Sequence, residues 1–270
     1  MNFDSKKIAQ ETVDIIKHGG YKEYVFNKDI SKAILYTPLE LESMSVSIPT
    51  DVPNAKITLY NEDTCQCARK FLCDGYTCIL NFASAKHVGG GFLNGAMAQE
   101  EAICRNSSLY ASISSNDAKG YYEHNNRTDE ELYSDYIIFS PCVEVFRDGR
   151  GRLLDYPYPI TISAITSPAV NVYRAKHYSE ADISKCMTQR AEYILKVAVC
   201  NQVKNIVLGA WGCGVFGNSP TDVSNMFKYL LFEKGYAKCF NNVSFAIYGL
   251  NLENYTAFKN TFDSMLGKMP

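Results

Sequence analysis

The sequence has little of what would assign it to several common functional classes. Its 270 residues include one tryptophan and four histidines, and the formal net charge is −2. Such a balance gives no basic surface of the kind that holds nucleic acid, and we expect no direct sequence-specific binding of DNA or RNA. No apolar run is long enough to cross a bilayer. Residues 1–20 mix charges into a helical pattern without the apolar centre of a signal peptide, so we expect no membrane partner.

Metal-site patterns are also missing, although cysteine is plentiful. The ten cysteines are scattered, with no C-x-x-C pair and no Cys/His pair at zinc spacing. No acidic pair resembles a divalent-cation site, so we expect neither a metal nor another cofactor. In the absence of a secretory pattern we expect reduced thiols and a cytoplasmic location. The cysteines are Cys65, Cys67, Cys73, Cys78, Cys104, Cys142, Cys186, Cys200, Cys213 and Cys239.

Strand-like and helix-like patterns alternate along most of the chain, which is 46% hydrophobic and can bury a sizeable core. This alternation is typical of an α/β three-layer sandwich. We predict one domain at 55–270, preceded by an extension at 1–54 that packs on it. Residues 21–55 and 112–131 are expected to be irregular, apart from short apolar runs. The predicted strands are 56–60, 77–82, 136–139, 142–146, 160–165, 205–208 and 243–248, and the predicted helices are 4–18, 64–72, 98–110, 180–200, 219–233 and 254–266.

The most informative segment lies between the second predicted strand and the helix that follows it. Three consecutive glycines, Gly89 to Gly91, precede Gln99, Glu100 and Glu101. Glycines let backbone N–H groups converge on a ligand such as phosphate, and two acids beside such a loop are candidates for acid–base catalysis. The spacing alone fits a structural interpretation equally well, in which the glycines form a tight turn and the acids are favoured by the helix dipole.

A second glycine motif follows a late strand, at Gly212 to Gly217. It has the form G-x-G-x-x-G, but it comes late in the chain and lacks an acid at the end of the next strand, which argues against a dinucleotide-binding Rossmann site. Together with the first loop it predicts the second wall of a pyrophosphate cleft. Phe216 is interpreted as a lid over a ribose rather than a core anchor. Cys213 has no clear histidine base, so a structural role is favoured over a nucleophile. Trp211 is expected to pack beside the loop.

Two sequence strings carry a family resemblance. Residues 81–101 read NFASAKHVGGGFLNGAMAQEE and resemble the signature of the poly(ADP-ribose) glycohydrolases, in the microbial-type (bacterial) branch of divergent macrodomains. Residues 205–218 read NIVLGAWGCGVFGN and resemble the second phosphate loop of macrodomains. The resemblance covers roughly residues 55–265. It implies a macrodomain-like three-layer α/β/α sandwich with a mixed central sheet and an N-terminal helical extension.

The resemblance also implies an activity. It points to hydrolysis of ribose–ribose O-glycosidic bonds in poly(ADP-ribose), mainly from polymer ends, with release of ADP-ribose. Glu101 would be the catalytic acid, and Glu100 would hold a ribose hydroxyl. Two alternatives stay open: a hydrolase of single ADP-ribosyl groups on protein or nucleic acid, and a non-catalytic ADP-ribose-binding macrodomain. The expected partners are poly(ADP-ribose) or ADP-ribosylated protein as substrate and ADP-ribose as product, bound by a monomer.

The substrate-binding residues are also taken from the resemblance. Asn81 and Ser84 are candidate ribose contacts. Asn61, Glu62 and Asp63 follow the first core strand, where macrodomains often place an acid that contacts adenine, and the sequence assigns this contact to none of them. The remaining implied contacts are Gln99, Gly89, Gly90, Gly91, Asn94, Gly212, Cys213, Gly214, Val215, Phe216 and Gly217.

Overall fold

A seven-stranded mixed sheet forms the centre of the protein. The structure is a computed structural model and describes residues 4–249 and 252–266. The order across the sheet is β3-β6-β7-β5-β8-β9-β4, with β1 and β2 in a separate hairpin. Neighbours from β7 to β4 pair in parallel, whereas β6 is antiparallel to both β3 and β7. The strands are β1 (Gly20–Tyr21), β2 (Tyr24–Val25), β3 (Ile34–Tyr36), β4 (Lys56–Tyr60), β5 (Thr77–Phe82), β6 (Ile137–Val145), β7 (Ile160–Ser167), β8 (Asn205–Leu208) and β9 (Asn242–Ala246).

Helices cover both faces of this sheet, as the sequence predicted. Alternate residues of β5 face opposite sides: Ile79 lies in a buried cluster with Ile103, and Leu80 lies in another with Ile194. The three-layer sandwich is therefore confirmed. The helices are α1 (Ser5–Lys17), α2 (Pro38–Ser43), α3 (Thr64–Arg69), α4 (Gln99–Asn106), α5 (Leu109–Ile113), α6 (Lys119–Arg127), α7 (Glu180–Cys200), α8 (Pro220–Lys228) and α9 (Glu253–Phe262).

Three local predictions were wrong. Residues 112–131 are not a loop, because α6 lies within them and buries Tyr121 and Tyr122 against the core. Pro141 does not divide two strands, since β6 runs through it with an irregular register between Ser140 and Val143 that spares the missing N–H. The predicted helix 98–110 is two helices, because Ser108 leaves the helix to exchange hydrogen bonds with the backbone of β6.

The N-terminal extension is more ordered than its sequence indicated. Strand β3 joins the edge of the main sheet, and α2 follows it. Helix α1 reaches the glycine loop and α4: Ser5 Oγ donates to the Gly95 carbonyl at 2.7 Å, and Thr12 Oγ1 donates to the Arg105 carbonyl at 2.8 Å. The extension therefore supports the segment that carries the candidate acids. The division at residue 54 remains a prediction.

Candidate active site

A large cleft opens at the carboxyl ends of the parallel strands, where ligands bind in open α/β sheets. Its volume is about 1190 Å³. Segments that follow β4, β5, β7, β8 and β9 line it, together with the first turns of α3 and α4 and a turn at residues 148–152. The sequence-predicted residues that line it are Ser84, Gly90, Gly91, Asn94, Gln99, Glu100, Glu101, Gly212, Gly214, Val215 and Phe216.

Gln99 fixes the start of α4 to the sheet. Its Oε1 accepts a hydrogen bond from the Phe82 N–H at 2.8 Å, and its Nε2 donates to the Leu80 carbonyl at 2.8 Å. Although Gln99 lines the cleft, its side-chain amide is already hydrogen-bonded within the protein through both its oxygen and its nitrogen. Its main effect is to set the position of the two glutamates that follow it.

Glu100 is a buried carboxyl with two protein partners. It is 3% exposed, and its oxygens accept hydrogen bonds from Asn81 Nδ2 at 3.1 Å and from the Ser84 N–H at 2.8 Å. Burial raises the pKa of Glu100 to about 8, the neighbouring Glu101 charge adds to this, and the two hydrogen bonds oppose it. Glu100 therefore holds a proton at neutral pH.

Glu101 has one fixed oxygen and one free oxygen. Its Oε1 accepts a hydrogen bond from the Gly91 N–H at 2.8 Å. Its Oε2 is buried and has no hydrogen-bond partner among the residues that the structure describes. Gly90 makes this arrangement possible: its φ is +60°, and a Cβ there would overlap Glu101 Oε1. The glycine loop thus orients one carboxylate oxygen, whereas the other is without a hydrogen-bond partner in the described part of the chain.

Arg105 lies one helical turn after Glu101, and the sequence reasoning missed it. It is 3% exposed, and its guanidinium donates to the Ala96 carbonyl. Burial lowers the pKa of Arg105, whereas the charge of Glu101 raises it. A Glu–Arg pair at i, i+4 was the available signal, but its burial could not be read from the sequence.

The second glycine loop is only partly directed at the cleft. Phe216 lines the cleft, and its ring lies 6.2 Å from that of Tyr133. Gly217 instead packs against the ring of Tyr173. Cys213 does not line the cleft either, and burial raises the pKa of its thiol to about 12, which does not suit a nucleophile. Trp211 is buried beside the loop, as expected, and donates to the Ser167 carbonyl at 3.2 Å.

Two residues near the first glycine loop also face away from the cleft. Gly89 packs against Tyr110 and Cys104. Asn81 is fully buried and hydrogen-bonds to Glu100 and Thr166. The structure therefore places Asn81 behind the acid instead of at the ligand surface where a ribose contact would be.

Several other groups line the cleft near the end of β4. Glu62 pairs with Lys70 at 2.9 Å. Asp63 caps α3 through the Gln66 N–H at 3.0 Å, and burial raises the pKa of Asp63. Tyr248 and Asn254 line the same region, and neither was identified from the sequence because both lie far from the glycine motifs along the chain.

Neither a metal site nor a membrane-spanning helix is found among the described residues. Across residues 4–249 and 252–266, no group of three or more His, Cys, Asp or Glu side chains is arranged to hold a metal ion. Within the same described ranges, no helix combines the length and apolar character that membrane crossing requires.

Known proteins resemble this chain over most of its length. The sequence model of the microbial-type PARG catalytic domain matches residues 9–148. A crystal structure of poly(ADP-ribose) glycohydrolase (PARG) from Thermomonospora curvata is 36% identical, with a TM-score of 0.87, and the alignment covers 96% of this chain and 99% of that one. The same enzyme bound to the inhibitor ADP-HPD aligns with a TM-score of 0.86, at the same identity and coverage.

A second bacterial enzyme with the same activity is also similar to this chain in sequence and fold. Poly(ADP-ribose) glycohydrolase from Deinococcus radiodurans in complex with ADP-ribose is 34% identical, with a TM-score of 0.76, over 86% of this chain and 94% of that one. The comparison with curated proteins gave no match. The family model spans more than half of the chain and the structural relatives nearly all of it, so this chain belongs to the microbial-type poly(ADP-ribose) glycohydrolase family.

Proposed function

We propose that this protein hydrolyses ribose–ribose O-glycosidic bonds of poly(ADP-ribose) and releases ADP-ribose, mainly from polymer ends. The observation that carries the proposal is the geometry of Glu101. One carboxylate oxygen is fixed by the Gly91 N–H, and the other is buried in the cleft with no partner in the described part of the chain. A general acid needs this combination of fixed orientation and an available oxygen.

The two glycine loops would hold the pyrophosphate of the terminal unit. In the second loop, the backbone N–H groups of residues 214–216 can donate to phosphate oxygens with little reorganisation. In the first loop, the Gly90 N–H already donates to the His87 carbonyl and the Gly91 N–H to Glu101, so that loop would contribute close approach of its backbone to the ligand. Phe216 would cover the distal ribose. The other implied contacts, Ser84 and Asn94, line the same cleft. The carboxyl of Glu100 can form a hydrogen bond with a ribose hydroxyl in addition to the bonds with its protein partners.

The reaction would proceed in two proton transfers. The step starts from the protonated form of Glu101, which donates its proton to the leaving oxygen as the bond from that oxygen to the ribose C1 breaks, and this leaves an oxocarbenium-like ribose. The resulting carboxylate takes a proton from water while the water oxygen bonds to the same carbon. The products are ADP-ribose and a polymer that is shorter by one unit.

The test is incubation with automodified polymer and, separately, with protein that carries single ADP-ribosyl groups. We expect ADP-ribose monomers from the polymer at low conversion and slow or no release of the protein-linked unit. A ladder of medium-length oligomers would contradict action from the ends. Rapid release from singly modified protein would favour the mono-ADP-ribosyl hydrolase. Tight binding of ADP-ribose without any turnover would favour a non-catalytic reader.

The remaining predictions on the biology rest on the sequence. A cytoplasmic location is supported by the ten cysteines, all of which are free thiols in the structure. A monomer is supported only by the completeness of the cleft within one chain. Size-exclusion chromatography with light scattering tests the second prediction directly.

A further inference from the structure

The second glycine loop gives Phe216 little support of its own. The preceding residues Gly214 and Val215 are exposed, and a Cβ added to Gly214 would meet no protein atom within 4 Å. The Phe216 carbonyl accepts a hydrogen bond from the Val172 N–H at 2.9 Å, which fixes the backbone but not the side-chain rotamer. The orientation of the Phe216 ring in the cleft therefore depends on the side chains that pack against it.

Tyr133 is one of these side chains, although it does not line the cleft itself. The centroids of the Tyr133 and Phe216 rings lie 6.2 Å apart, and the ring planes are inclined by 40°. Aromatic rings attract each other at this separation. The guanidinium of Arg174 lies over the Tyr133 ring, 5.4 Å from its centroid, and adds a cation–π contact. The Tyr133 ring is thus held beside Phe216.

The backbone of Tyr133 has an unfavourable conformation. Its φ is +61°, in the left-handed region that bulky side chains rarely adopt. Glycine adopts this region without a steric cost. Backbone strain of this kind persists only where the surrounding structure imposes it, and it is concentrated near ligand sites. A tyrosine at this position indicates that its ring contributes something that a glycine turn would not.

Two helices impose this conformation from either side of Tyr133. Arg190 of α7 is buried. Its Nη2 donates to the Tyr133 carbonyl at 3.2 Å, and its Nε donates to Asp135 Oδ1 at 2.7 Å. Asn125 of α6 accepts a hydrogen bond from the Ser134 N–H at 3.0 Å. The segment that carries Tyr133 is therefore fixed before any ligand enters the cleft.

We propose that Tyr133, held by Arg190, is a positioning residue for Phe216 and thereby sets the affinity of the cleft for the terminal ADP-ribose unit. Tyr133 acts without touching the ligand, because it restricts the Phe216 ring to the orientation that covers the ribose. A ring that is already oriented loses less conformational freedom when the ligand binds. This inference rests on the proposed function, which places a ribose beneath Phe216.

Calorimetric titration with ADP-ribose tests the proposal in four variants. Tyr133→Gly removes the ring, and we expect about fivefold weaker binding, as the loss of one aromatic pair allows. Its thermal unfolding temperature should stay close to that of the unmodified protein, because relief of the strained backbone offsets the lost packing. Tyr133→Phe keeps the ring and should restore affinity to within about twofold. Adding Tyr133→Gly to Phe216→Ala should cause no further loss, because Tyr133 acts through Phe216.

Two more variants guard against effects on folding. Gln202→Gly is the matched control, because Gln202 also has a φ of +61° but is exposed and does not line the cleft; it should keep full affinity. Tyr133→Leu keeps apolar packing without an aromatic face. It should give a smaller loss than Tyr133→Gly, and that loss should also disappear in Phe216→Ala.

Unchanged affinity in Tyr133→Gly would overturn the proposal. A loss that adds in full to that of Phe216→Ala would also overturn it, since Tyr133 would then support the fold and not the Phe216 ring. An equal loss in Tyr133→Phe would do the same, because the ring alone would not be responsible. Failure of the proposed function is separable: the unmodified protein would then leave polymer intact even if ADP-ribose binding showed this dependence on Tyr133.

Discussion

Asn81 Nδ2 lies 3.1 Å from Glu100 Oε1 and joins strand β5 to the helix that carries both acids. Asn81 is fully buried, and its Nδ2 also donates to Thr166 Oγ1 at 3.2 Å. The Asn81 carbonyl oxygen has no partner among the described residues. Rotation of this amide would let the same oxygen accept the proton of a neutral Glu100, so one side chain can support either charge state of the acid.

Replacement of Asn81 by Leu should lower kcat and move the alkaline limit of activity to higher pH. The hydrogen bond from the Asn81 amide lowers the pKa of Glu100, so its loss leaves only the Ser84 N–H bond to oppose burial and raises that pKa further above about 8. The measurement is kcat against pH. Thr166→Val is the matched control, because it removes the other partner of Asn81 without touching Glu100. A profile that stays in place while kcat falls would indicate structural damage alone.

Glu100 should make the free protein less stable as pH rises. Its pKa is about 8 when folded against an ordinary value of 4.5, so the folded state binds the extra proton between these values. Stability is then fully present below about pH 4.5 and falls by up to about 1.4 kcal/mol per pH unit as pH approaches 8. Chemical unfolding of Glu100→Gln should give a flatter dependence. Glu123→Gln, on an exposed surface, should keep the original slope.

Glu101→Gln should abolish turnover while ADP-ribose affinity stays within about tenfold. Glutamine keeps the oxygen that accepts from the Gly91 N–H but cannot donate and recover a proton, and general acid–base catalysis contributes roughly 10²–10⁴-fold. Initial rates on polymer and calorimetric titration with ADP-ribose give the two quantities. Near-normal rates from this variant would reject Glu101 as the acid.

Gly90→Val and Gly214→Val should both lose ADP-ribose binding, but for different reasons. At Gly90 the left-handed φ and the overlap with Glu101 oppose any side chain. At Gly214 an added Cβ meets no protein atom within 4 Å, so the side chain would occupy only ligand space. The thermal unfolding temperature should therefore be lower in Gly90→Val and nearly unchanged in Gly214→Val. Normal affinity in both would mean that the loops are structural.

Cleavage of polymer should continue in EDTA. The proposed charge stabilisation comes from backbone amides and Glu101, and the described residues contain no cluster of metal ligands. The comparison is between rates before chelation, after chelation and after added magnesium. A strong loss that magnesium restores would support a different class of ADP-ribosyl hydrolase.

The sequence predicted those parts of the site whose residues lie close together along the chain. The Gly89–Gly91 run, the pair Glu100 and Glu101, and the strand before them are contiguous, so their placement in one cleft follows from strand–loop–helix geometry. The role of Asn81 could not be predicted in this way. Its side chain lies between the sheet and α4, and the packing of α4 against β5 brings it into hydrogen-bond contact with Glu100 instead of a ligand.

Other parts of the site depend on contacts between distant segments. The turn at 148–152 reaches the cleft only because it packs on the first turn of α3, more than 80 residues earlier. Helix α6 was missed because its polar surface dominates the composition, while the tyrosines that anchor it are few. In each case the deciding interaction is tertiary, and no spacing along the chain encodes it.

The placement of β3 has a consequence for how the protein can be divided. Strand β3 covers the outer edge of β6, and α1 supports Gly95 and the backbone of Arg105. A fragment that starts at residue 55 would retain every glycine and glutamate of the cleft. It would nevertheless expose the backbone hydrogen-bonding groups of β6 at residues 137–139, an edge that invites association with other chains. We therefore expect residues 4–54 to be needed for the cleft to keep its shape.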